Sequence, residues 1–546
     1  MANIALGGYD LFVVLVYMVG VVVMGTYFSK YVDDSSDYFL AGRMLPWWAI
    51  GMSLVSTDIS SLDFISVAGQ GYKFGIVVAN FDWIGCLPPV ILAAFIFAPY
   101  YWRAGIYTIP EYLGRRYNQW VRLLHAVLWG LFLVINLAIM FWATGLMFNE
   151  LIPIPDSFLG GSVKAIFGSL PWHWGPNWQI MFWILLIGVG TAIYTMSGGL
   201  SAVVMTDVVQ LVIMFVGCGA VIIAGLIELG GIDGFVSTIN NLGPEYANHF
   251  DLLLPADSTT PYPWTGILFG LAFVLAPAYW LGNQVIIQRT LGANSEWDAK
   301  AGTLWCGFLH ALIPLCITLP GLIGLALYHG QIDNPDRIYP YLLKGLLPKG
   351  MMGLVFAAFL AAMMSTVSAI LNSAATIWTK DIWQAYIAKN ASDKQLLTLG
   401  LVLTFLFVIF GMAFAPVVKK FQSIYQAIQN FLTFIQGPSL ALLLLGMFWE
   451  RTTGWGGLAG LVGGLLLSVF MFLGQRFTLG TEIQLFTQED PFLFIAWWSF
   501  VGSCVITVVV SLLTPRHTDA QLAGLTYDLS LDAPAVQATI ARRAEL

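Results

Sequence analysis

The sequence predicts an all-α polytopic membrane protein. Of its 546 residues, 58% are hydrophobic and only 10% are charged, whereas a soluble globular protein has about 25% charged residues. Apolar windows of about 20 residues, the length that crosses a bilayer, recur along most of the chain. The lipid bilayer is therefore an expected partner, and because no basic run is present, nucleic acid is not.

Thirteen such windows follow one another with short polar connections. They cover residues 9–29, 46–70, 75–100, 119–149, 176–197, 204–228, 262–287, 303–329, 352–385, 396–418, 430–449, 455–475 and 492–513. An odd number of spans leaves the two ends of the chain on opposite sides of the membrane.

The distribution of lysine and arginine predicts the orientation. With the N-terminus outside, 15 of the 23 Lys and Arg residues, Arg289 among them, fall on the cytoplasmic side. Cytoplasmic loops carry the excess of positive charge in membrane proteins. We therefore expect a plasma (inner) membrane protein with an external N-terminus and a cytoplasmic C-terminus.

Two of the windows are interrupted. The second contains "STDISSLDF" at 56–64, and the seventh contains "LAPAYWLGNQ" with Pro277 and Gly282. Irregular backbone is tolerated at membrane depth only where it lines a cavity or is buried in protein. Broken spans at corresponding positions of two halves indicate the binding site of a secondary transporter.

The two interrupted spans are five windows apart, which predicts two five-helix repeats. The expected organisation is listed from the N-terminus: 1–45, an extra transmembrane helix and a cytoplasmic loop; 46–228, the first repeat; 229–261, an external loop; 262–449, the second repeat; 450–513, two additional helices; and 514–546, a cytoplasmic tail.

Ionisable residues inside spans are functional-site candidates, because they cost several kcal/mol to hold there. Five stand out: Asp58, Asp63, Asp82, Asp207 and His310. Two of them have alternative interpretations. Asp207 follows Thr206 and could be an interfacial helix cap, and His310 could be a packing histidine.

The ninth span contains the small and hydroxyl residues Ala362, Ser365, Thr366 and Ser368. Small residues also allow membrane helices to pack closely, so this cluster has a structural interpretation as well. A sodium ion prefers oxygen ligands, which hydroxyls and free backbone carbonyls supply. Together with an unwound partner helix, the cluster is typical of a sodium site.

Several long segments resemble the sodium/solute symporter family, in family order from about residue 9 to residue 513. They are "YYWRAGIYTIPEYLGRRYN", "MSGGLSAVVMTDVVQ", "NQVIIQRTLGA", "GLVFAAFLAAMMSTVSAILNSAATIWTKDI" and "LLLLGMFWERTT". The branch that they resemble is that of the sodium/glucose cotransporters. This resemblance implies a leucine-transporter-type 5+5 inverted repeat that works by alternating access.

The resemblance also implies a sodium site between the second and ninth spans. Its ligands would be the carbonyls of Ser56, Ile59 and Ala362 and the hydroxyls of Ser365 and Thr366. Some members of the family bind a second sodium ion at an aspartate that corresponds to Asp207, together with two adjacent serines. This chain has Ser368 but alanine at 369, so one ligand of the second site is missing.

The solute site implied by the resemblance keeps the polar positions of the sugar carriers and changes several identities. Asp58 replaces asparagine, Asp63 replaces glutamine or histidine, Asp82 replaces glutamate, and His310 replaces lysine. The remaining implied solute-binding residues are Tyr279, Trp280, Gln426 and Gln429. Most of these changes make the site more acidic.

The function predicted from the sequence is sodium-coupled import of a small organic solute, with a sugar or polyol as the expected class. Carboxylates accept hydrogen bonds from hydroxyl groups, and aromatic rings cover apolar sugar faces. A cationic or zwitterionic solute is the alternative, with sodium or proton coupling. No catalytic constellation indicates an enzyme, and residues 514–546 are too few for a signalling domain. We expect the chain to function as a monomer.

Overall fold

The chain is described here from a computed structural model. The described residues are 8–28, 30, 34–152, 164–165, 177–348, 350–420, 424–478, 485–488 and 490–527. Within them the fold is all-helical, as the composition predicts. The only β-type pairings in these residues are two isolated bridges, Leu45 with Ala293 and Leu254 with Pro263.

The α-helices share an apolar composition and differ mainly in length. In chain order they are α1 (Gly8–Phe28), α2 (Ser35–Leu40), α3 (Trp47–Asp58), α4 (Ala68–Phe74), α5 (Leu87–Leu92), α6 (Ala98–Arg103), α7 (Ile109–Arg116), α8 (Gln119–Leu151), α9 (Trp178–Glu228), α10 (Gly231–Asn240), α11 (Ala276–Gly282), α12 (Gln284–Leu291), α13 (Glu296–His310), α14 (Ile313–Cys316), α15 (Thr318–Tyr328), α16 (Ile338–Leu346), α17 (Met351–Thr376), α18 (Asp393–Phe414), α19 (Ile424–Phe448), α20 (Gly454–Thr478), α21 (Phe492–Leu513) and α22 (Asp519–Leu522).

Tighter or wider helical turns join several of these helices into longer rods. The segments are Ala41–Arg43, Asp63–Val67, Gly75–Phe81, Ala93–Phe97, Pro244–Tyr246, Gly266–Leu275, Pro335–Arg337, Ile377–Ile387 and Ala415–Lys420.

Eight helices of the described chain are long and apolar enough to cross a membrane. Three further spans are pairs of helices bent at a short break, which brings the total to eleven. The bent pairs are Trp47–Asp58 with Asp63–Phe81, at 59°; Gly266–Gly282 with Gln284–Leu291, at 48°; and Glu296–His310 with Ile313–Tyr328, at 41°.

Two of the thirteen predicted windows do not form a span of that length. Window 176–197 corresponds to a shorter apolar helix, Trp178–Ile193, within the long helix α9. The chain changes direction there at Gly199, which has φ 54° and ψ −156°. A Cβ at this position would lie 2.7 Å from the Tyr38 carbonyl oxygen, so a side chain is excluded.

Window 75–100 is divided between two rods. Residues Gly75–Phe81 extend the second half of the first bent span, and the helical run from Leu87 to Arg103 follows separately. The prediction that the second span ends at residue 70 was wrong. Because that helix breaks after Asp58, its second half needs the additional residues up to Phe81 to reach the far side.

Helix α17 lies at the centre of the bundle. In its most apolar window, 94% of the residues are buried inside the protein, far more than in any other long span of the described chain. It packs against α9, α1, α8 and α3. Its small residues permit these close contacts, and they fix α17 as the rigid element beside the broken helix α3.

One end of the molecule is held by a buried arginine. Arg116, which is 1% exposed, donates hydrogen bonds from Nε to the Gly446 carbonyl at 2.7 Å, and from its two terminal nitrogens to the Thr452 and Trp449 carbonyls at 3.0 Å each. Gly446 lies in the last turn of α19, where helix carbonyls lose their intrahelical donors, and Trp449 and Thr452 lie in the turn that follows this helix. Arg116 therefore ties α7 to α19.

Replacing Arg116 by alanine is expected to destabilise the protein by about 2–4 kcal/mol, because three buried carbonyls lose charged donors. Thermal unfolding in detergent measures the effect. The matched control is Arg115→Ala at the neighbouring position. The Arg115 side chain, which is 33% exposed, pairs with Glu111. Removing this exposed ion pair is expected to cost less than about 1 kcal/mol of unfolding free energy. Equal losses for the two variants would contradict this role of Arg116.

Candidate functional site

The three bent spans break around one cavity of about 190 Å³. The cavity lies between α3, α8, α11, α13, α17 and α19, and it is lined by residues from the ends of all three breaks. The polar lining residues are Thr57, Asp58, Ser60, Asp63, Asp82, Asn136, Tyr279, Trp280, Asn283, His310, Thr366, Gln429 and Gln436.

The first break follows Asp58, where α3 ends. Ile59 has extended backbone angles, φ −77° and ψ 113°. The next amide, that of Ser60, does not bond back along the helix and instead donates to Asp63 Oδ2 at 2.7 Å. The Ser60 hydroxyl donates to the same oxygen, also at 2.7 Å. Asp63 therefore stabilises the break, and it also lines the cavity as expected for a solute-facing residue.

The carbonyls freed by this break face two hydroxyl groups of α17. Ser365 Oγ lies 2.7 Å from the Ser56 carbonyl oxygen and 3.0 Å from that of Ala362. Thr366 Oγ1 lies 3.2 Å from the Ile59 carbonyl oxygen and 3.0 Å from that of Ala362. The structure thus brings together all five residues that the family resemblance implied as sodium ligands.

A sixth oxygen, the Thr57 carbonyl, lies 2.9 Å from Thr366 Oγ1 and was not among the predicted ligands. Each hydroxyl carries one proton, yet Thr366 Oγ1 is within hydrogen-bond distance of three carbonyls. The cluster therefore has more acceptors than donors. A hard cation such as sodium, which prefers oxygen ligands, fits this surplus of acceptors.

A second polar cluster lies on another wall of the same cavity. His310 Nε2 is 3.1 Å from Asp82 Oδ1 and 3.3 Å from Asp58 Oδ2. His310 is the last residue of α13, next to the third break, which the sequence analysis did not predict. His310 is thus part of a polar network, and the interpretation as a simple packing histidine does not fit.

The two aromatic residues predicted for the solute site lie on α11. The Trp280 ring is perpendicular to the His310 ring, with their centroids 5.5 Å apart, and the Tyr279 ring packs edge-on against Trp280 at 5.8 Å. Both residues line the cavity. They form a partly apolar part of the cavity wall.

Helix α19 contributes Gln429 to the cavity, as predicted. Gln426 lies in the same helix, but its side chain is outside the described part of the structure. Gln436, seven residues after Gln429, also lines the cavity and was missed. A spacing of seven residues returns to the same helix face, so this signal was available in the sequence.

Two asparagines were also missed. Asn136 lies in the middle of α8 and lines the cavity, and its Oδ1 atom has no hydrogen-bond partner among the described residues. Asn283 lies at the second break, where its side chain accepts a hydrogen bond from the Val285 amide at 3.0 Å. Both residues are neutral amides inside apolar spans, a sequence signal that predictions from ionisable side chains alone do not include.

Asp207 does not line the cavity, but it contacts Thr57 of α3 and has a cationic partner. Its Oδ2 atom is 3.2 Å from an Arg289 guanidinium nitrogen, 2.5 Å from Ser53 Oγ and 3.2 Å from Thr57 Oγ1. Both charged residues are fully buried. Arg289 was counted among the cytoplasmic positive charges, and its pairing with a buried carboxylate was not predicted, because counting charges along the sequence does not reveal such a partner.

The alternative interpretation of Asp207 as an interfacial helix cap is wrong. The residue lies within α9, in the part of the helix that follows the kink at Gly199, and its carboxylate contacts α3. The Ser368 hydroxyl donates to the Ser365 carbonyl at 2.9 Å. Asp207 Oδ1 has no hydrogen-bond partner among the described residues. A second sodium site at Asp207 and Ser368 stays a prediction.

Comparison with known proteins agrees with this architecture. Residues 38–157 and 175–464 match the sodium:solute symporter family. A sodium/glucose cotransporter of Vibrio parahaemolyticus is 31% identical over 487 residues, covering 85% of this chain and 84% of that protein. The human sodium/myo-inositol cotransporter is 31% identical over 569 residues, covering 95% of this chain and 75% of that protein.

Two solved structures share the fold. A Na⁺-coupled sialic acid symporter in a substrate-bound outward-open state superposes with a TM-score of 0.77 at 22% identity, covering 94% of this chain and 99% of that one. A nucleobase-cation-symport-1 family transporter superposes with a TM-score of 0.54 at 12% identity, covering 89% and 97%. The predicted leucine-transporter-type fold is confirmed. The chain belongs to the sodium:solute symporter family, whose members transport a small solute together with sodium.

Proposed function

We propose that this protein imports a sugar or polyol together with sodium by alternating access. The observation that supports this most directly is the arrangement of the two sites. An oxygen cluster between α3 and α17 lies at the same helix break as a cavity lined by carboxylates, amides and two aromatic rings. Carboxylates and amides hydrogen-bond to hydroxyl groups, and Trp280 and Tyr279 offer faces for the apolar side of a sugar ring.

The sodium ion would be bound by the carbonyls of Ser56, Ile59 and Ala362 and by the hydroxyls of Ser365 and Thr366. Two of these carbonyls belong to the end of α3, and the other three groups belong to α17. Sodium would therefore hold the broken helix against the central helix. Since Asp58 and Asp63 flank the same break and line the cavity, sodium binding would also order the solute site.

Coupling follows from this shared break. If sodium raises the affinity for the solute by a given factor, the solute raises the affinity for sodium by the same factor. Each positive charge that moves inward gains about 2.3 kcal/mol per 100 mV of membrane potential. The two five-helix repeats, 46–228 and 262–449, would rock relative to each other around the site, as in transporters built from inverted repeats.

The solute would contact Asp58, Asp63, Asp82, Tyr279, Trp280, His310 and Gln429, which the family resemblance implied. Gln436, Asn136 and Asn283, which line the same cavity, extend this proposed set. Gln426 remains in the proposed set of solute-binding residues on sequence grounds alone.

A second sodium ion at Asp207 and Ser368 would double the charge transported per solute. Simultaneous measurement of current and solute uptake tests this.

We also propose that the protein is a monomer in the plasma (inner) membrane, with its N-terminus outside. The contacts between the tail and the end of the bundle that carries Arg116 support a cytoplasmic C-terminus. The Tyr527 amide donates to the carbonyl of Met447, in the last turn of α19, at 2.7 Å. The Tyr112 hydroxyl of α7 donates to the Leu525 carbonyl at 2.9 Å. A C-terminal tag that is labelled from outside in intact cells would contradict this orientation.

The sodium site is tested by Ser365→Ala and Thr366→Ala in proteoliposomes. Each variant is expected to raise the sodium concentration for half-maximal uptake about tenfold, the effect of losing one ligand worth roughly 1.4 kcal/mol. Ser468→Ala is the matched control, because this buried hydroxyl bonds only within its own helix α20, to the Gly464 carbonyl at 2.9 Å. Unchanged sodium dependence in both variants, or uptake driven equally by a proton gradient without sodium, would refute the assignment.

The solute site is tested by Asp82→Ala with glucose, galactose and myo-inositol as probes. For any probe that the wild type carries, the variant is expected to raise the solute KM at least about tenfold, because a carboxylate acceptor for hydroxyl groups is lost. The half-saturating sodium concentration is expected to change much less. A larger effect on sodium than on solute would remove Asp82 from the solute site.

A further inference from the structure

The charge balance of the solute cavity narrows the class of solute. Three carboxylates, Asp58, Asp63 and Asp82, line the cavity, and the only basic side chain in its described lining is His310. With the three carboxylates ionised and the imidazole protonated, the lining would carry two more negative charges than positive ones. Uncompensated charge at membrane depth costs several kcal/mol.

The three carboxylates are not equivalent. Asp63 accepts two hydrogen bonds from Ser60. Asp58 and Asp82, in contrast, share a single nitrogen, His310 Nε2, at 3.3 and 3.1 Å, and the Tyr279 hydroxyl adds one further interaction with Asp58. One N–H group cannot satisfy two carboxylates, each of which accepts several hydrogen bonds. The surplus of acceptors is therefore localised at Asp58 and Asp82.

Arg289 does not neutralise this surplus. Its guanidinium group donates to Asp207 at 3.2 Å, to Ser53 Oγ at 2.7 Å and to the Val285 carbonyl at 2.6 Å, and it does not line the cavity. The proposed sodium ligands are backbone carbonyls and hydroxyls, so that ion has no direct bond to either carboxylate. Where the two carboxyls stay ionised, a separate cation that enters the cavity would balance Asp58 and Asp82.

The rest of the cavity indicates what kind of cation this is. Gln436 is 2% exposed and lines the cavity with its polar side chain. Asn136 Oδ1, on the facing helix α8, lacks a partner among the described residues. An unpaired buried amide oxygen is costly, and hydroxyl groups of a ligand would bond to Asn136 and to Gln436. A bare ion would not supply these bonds and would not contact Trp280.

We propose that the solute carries a protonated primary amine on a polyhydroxylated frame, as an amino sugar does, and that its ammonium group binds between Asp58 and Asp82. The ammonium has three N–H donors, which match the free acceptor positions of the two carboxylates. The amides of Asn136 and Gln436 bind the hydroxyl groups, and Trp280 covers the ring. This inference rests on the proposed sodium-coupled transport of polyols and specifies its substrate class.

The test compares three probes that share one ring and differ at one nitrogen: D-glucosamine, D-glucose and N-acetyl-D-glucosamine. Their binding to the purified full-length protein is measured by thermal shift titration in sodium and, as a control, in potassium. D-Glucosamine in sodium is expected to bind at least about tenfold more tightly than D-glucose, the effect of one charge-assisted hydrogen bond. Acetylation, which removes the charge, is expected to abolish this preference.

Asp58→Asn and Asp82→Asn are expected to lower the ratio of D-glucosamine to D-glucose affinity severalfold, with Ser468→Ala as the control that keeps it. The wild-type comparison needs no variant, so misfolding of either variant leaves the test intact.

If D-glucose binds as tightly as D-glucosamine in sodium, the amine inference is wrong while sodium-coupled polyol transport stands. Stabilisation by Ca²⁺, Mg²⁺ or Zn²⁺ alone that requires Asp58 and Asp82 would assign the cluster to a metal ion and overturn the inference. If no probe binds in a sodium-dependent way, the proposed function itself fails.

Discussion

The rest of the structure depends on one broken hydrogen-bond ladder. At membrane depth a backbone carbonyl has no water to bond to, so a break in a helix persists only where other groups replace the lost partners. After Asp58, the Ser60 amide donates a hydrogen bond to the Asp63 carboxylate, and the carbonyls at the end of α3 lie within hydrogen-bond distance of two hydroxyls of α17. The number of acceptors exceeds the number of donors, and this imbalance makes the break a site for a cation.

The other two breaks place their ends around the same cavity. Asn283 caps the start of α12 from the second break, and His310 ends α13 at the third. Each break changes the direction of its helix, and side chains beside the break line the cavity as a result. The sodium cluster and the solute cavity consequently share α3, and a change in the position of this helix alters both sites together. We infer that coupling between ion and solute resides in this shared helix end.

The sequence predicted the fold class and a hydroxyl cluster beside an interrupted span, because these are local patterns. The family resemblance, and not the pattern, implied the set Ser56, Ile59, Ala362, Ser365 and Thr366. The sequence did not predict the third break, or the pairing of Asp207 with Arg289. Both depend on which helices become neighbours, and a single-span pattern does not contain that information. Asn136 and Gln436 were missed because neutral amides give a weaker signal in an apolar segment than charged groups do.

The most direct test of the central claim is sodium binding to the purified protein, measured by isothermal titration calorimetry for the wild type and for the Ser365→Ala/Thr366→Ala double variant. The account predicts that the wild type binds sodium in preference to potassium and that the double variant loses about 100-fold in sodium affinity. Sodium binding of equal strength in the two proteins would contradict the claim that the ion bridges α3 and α17.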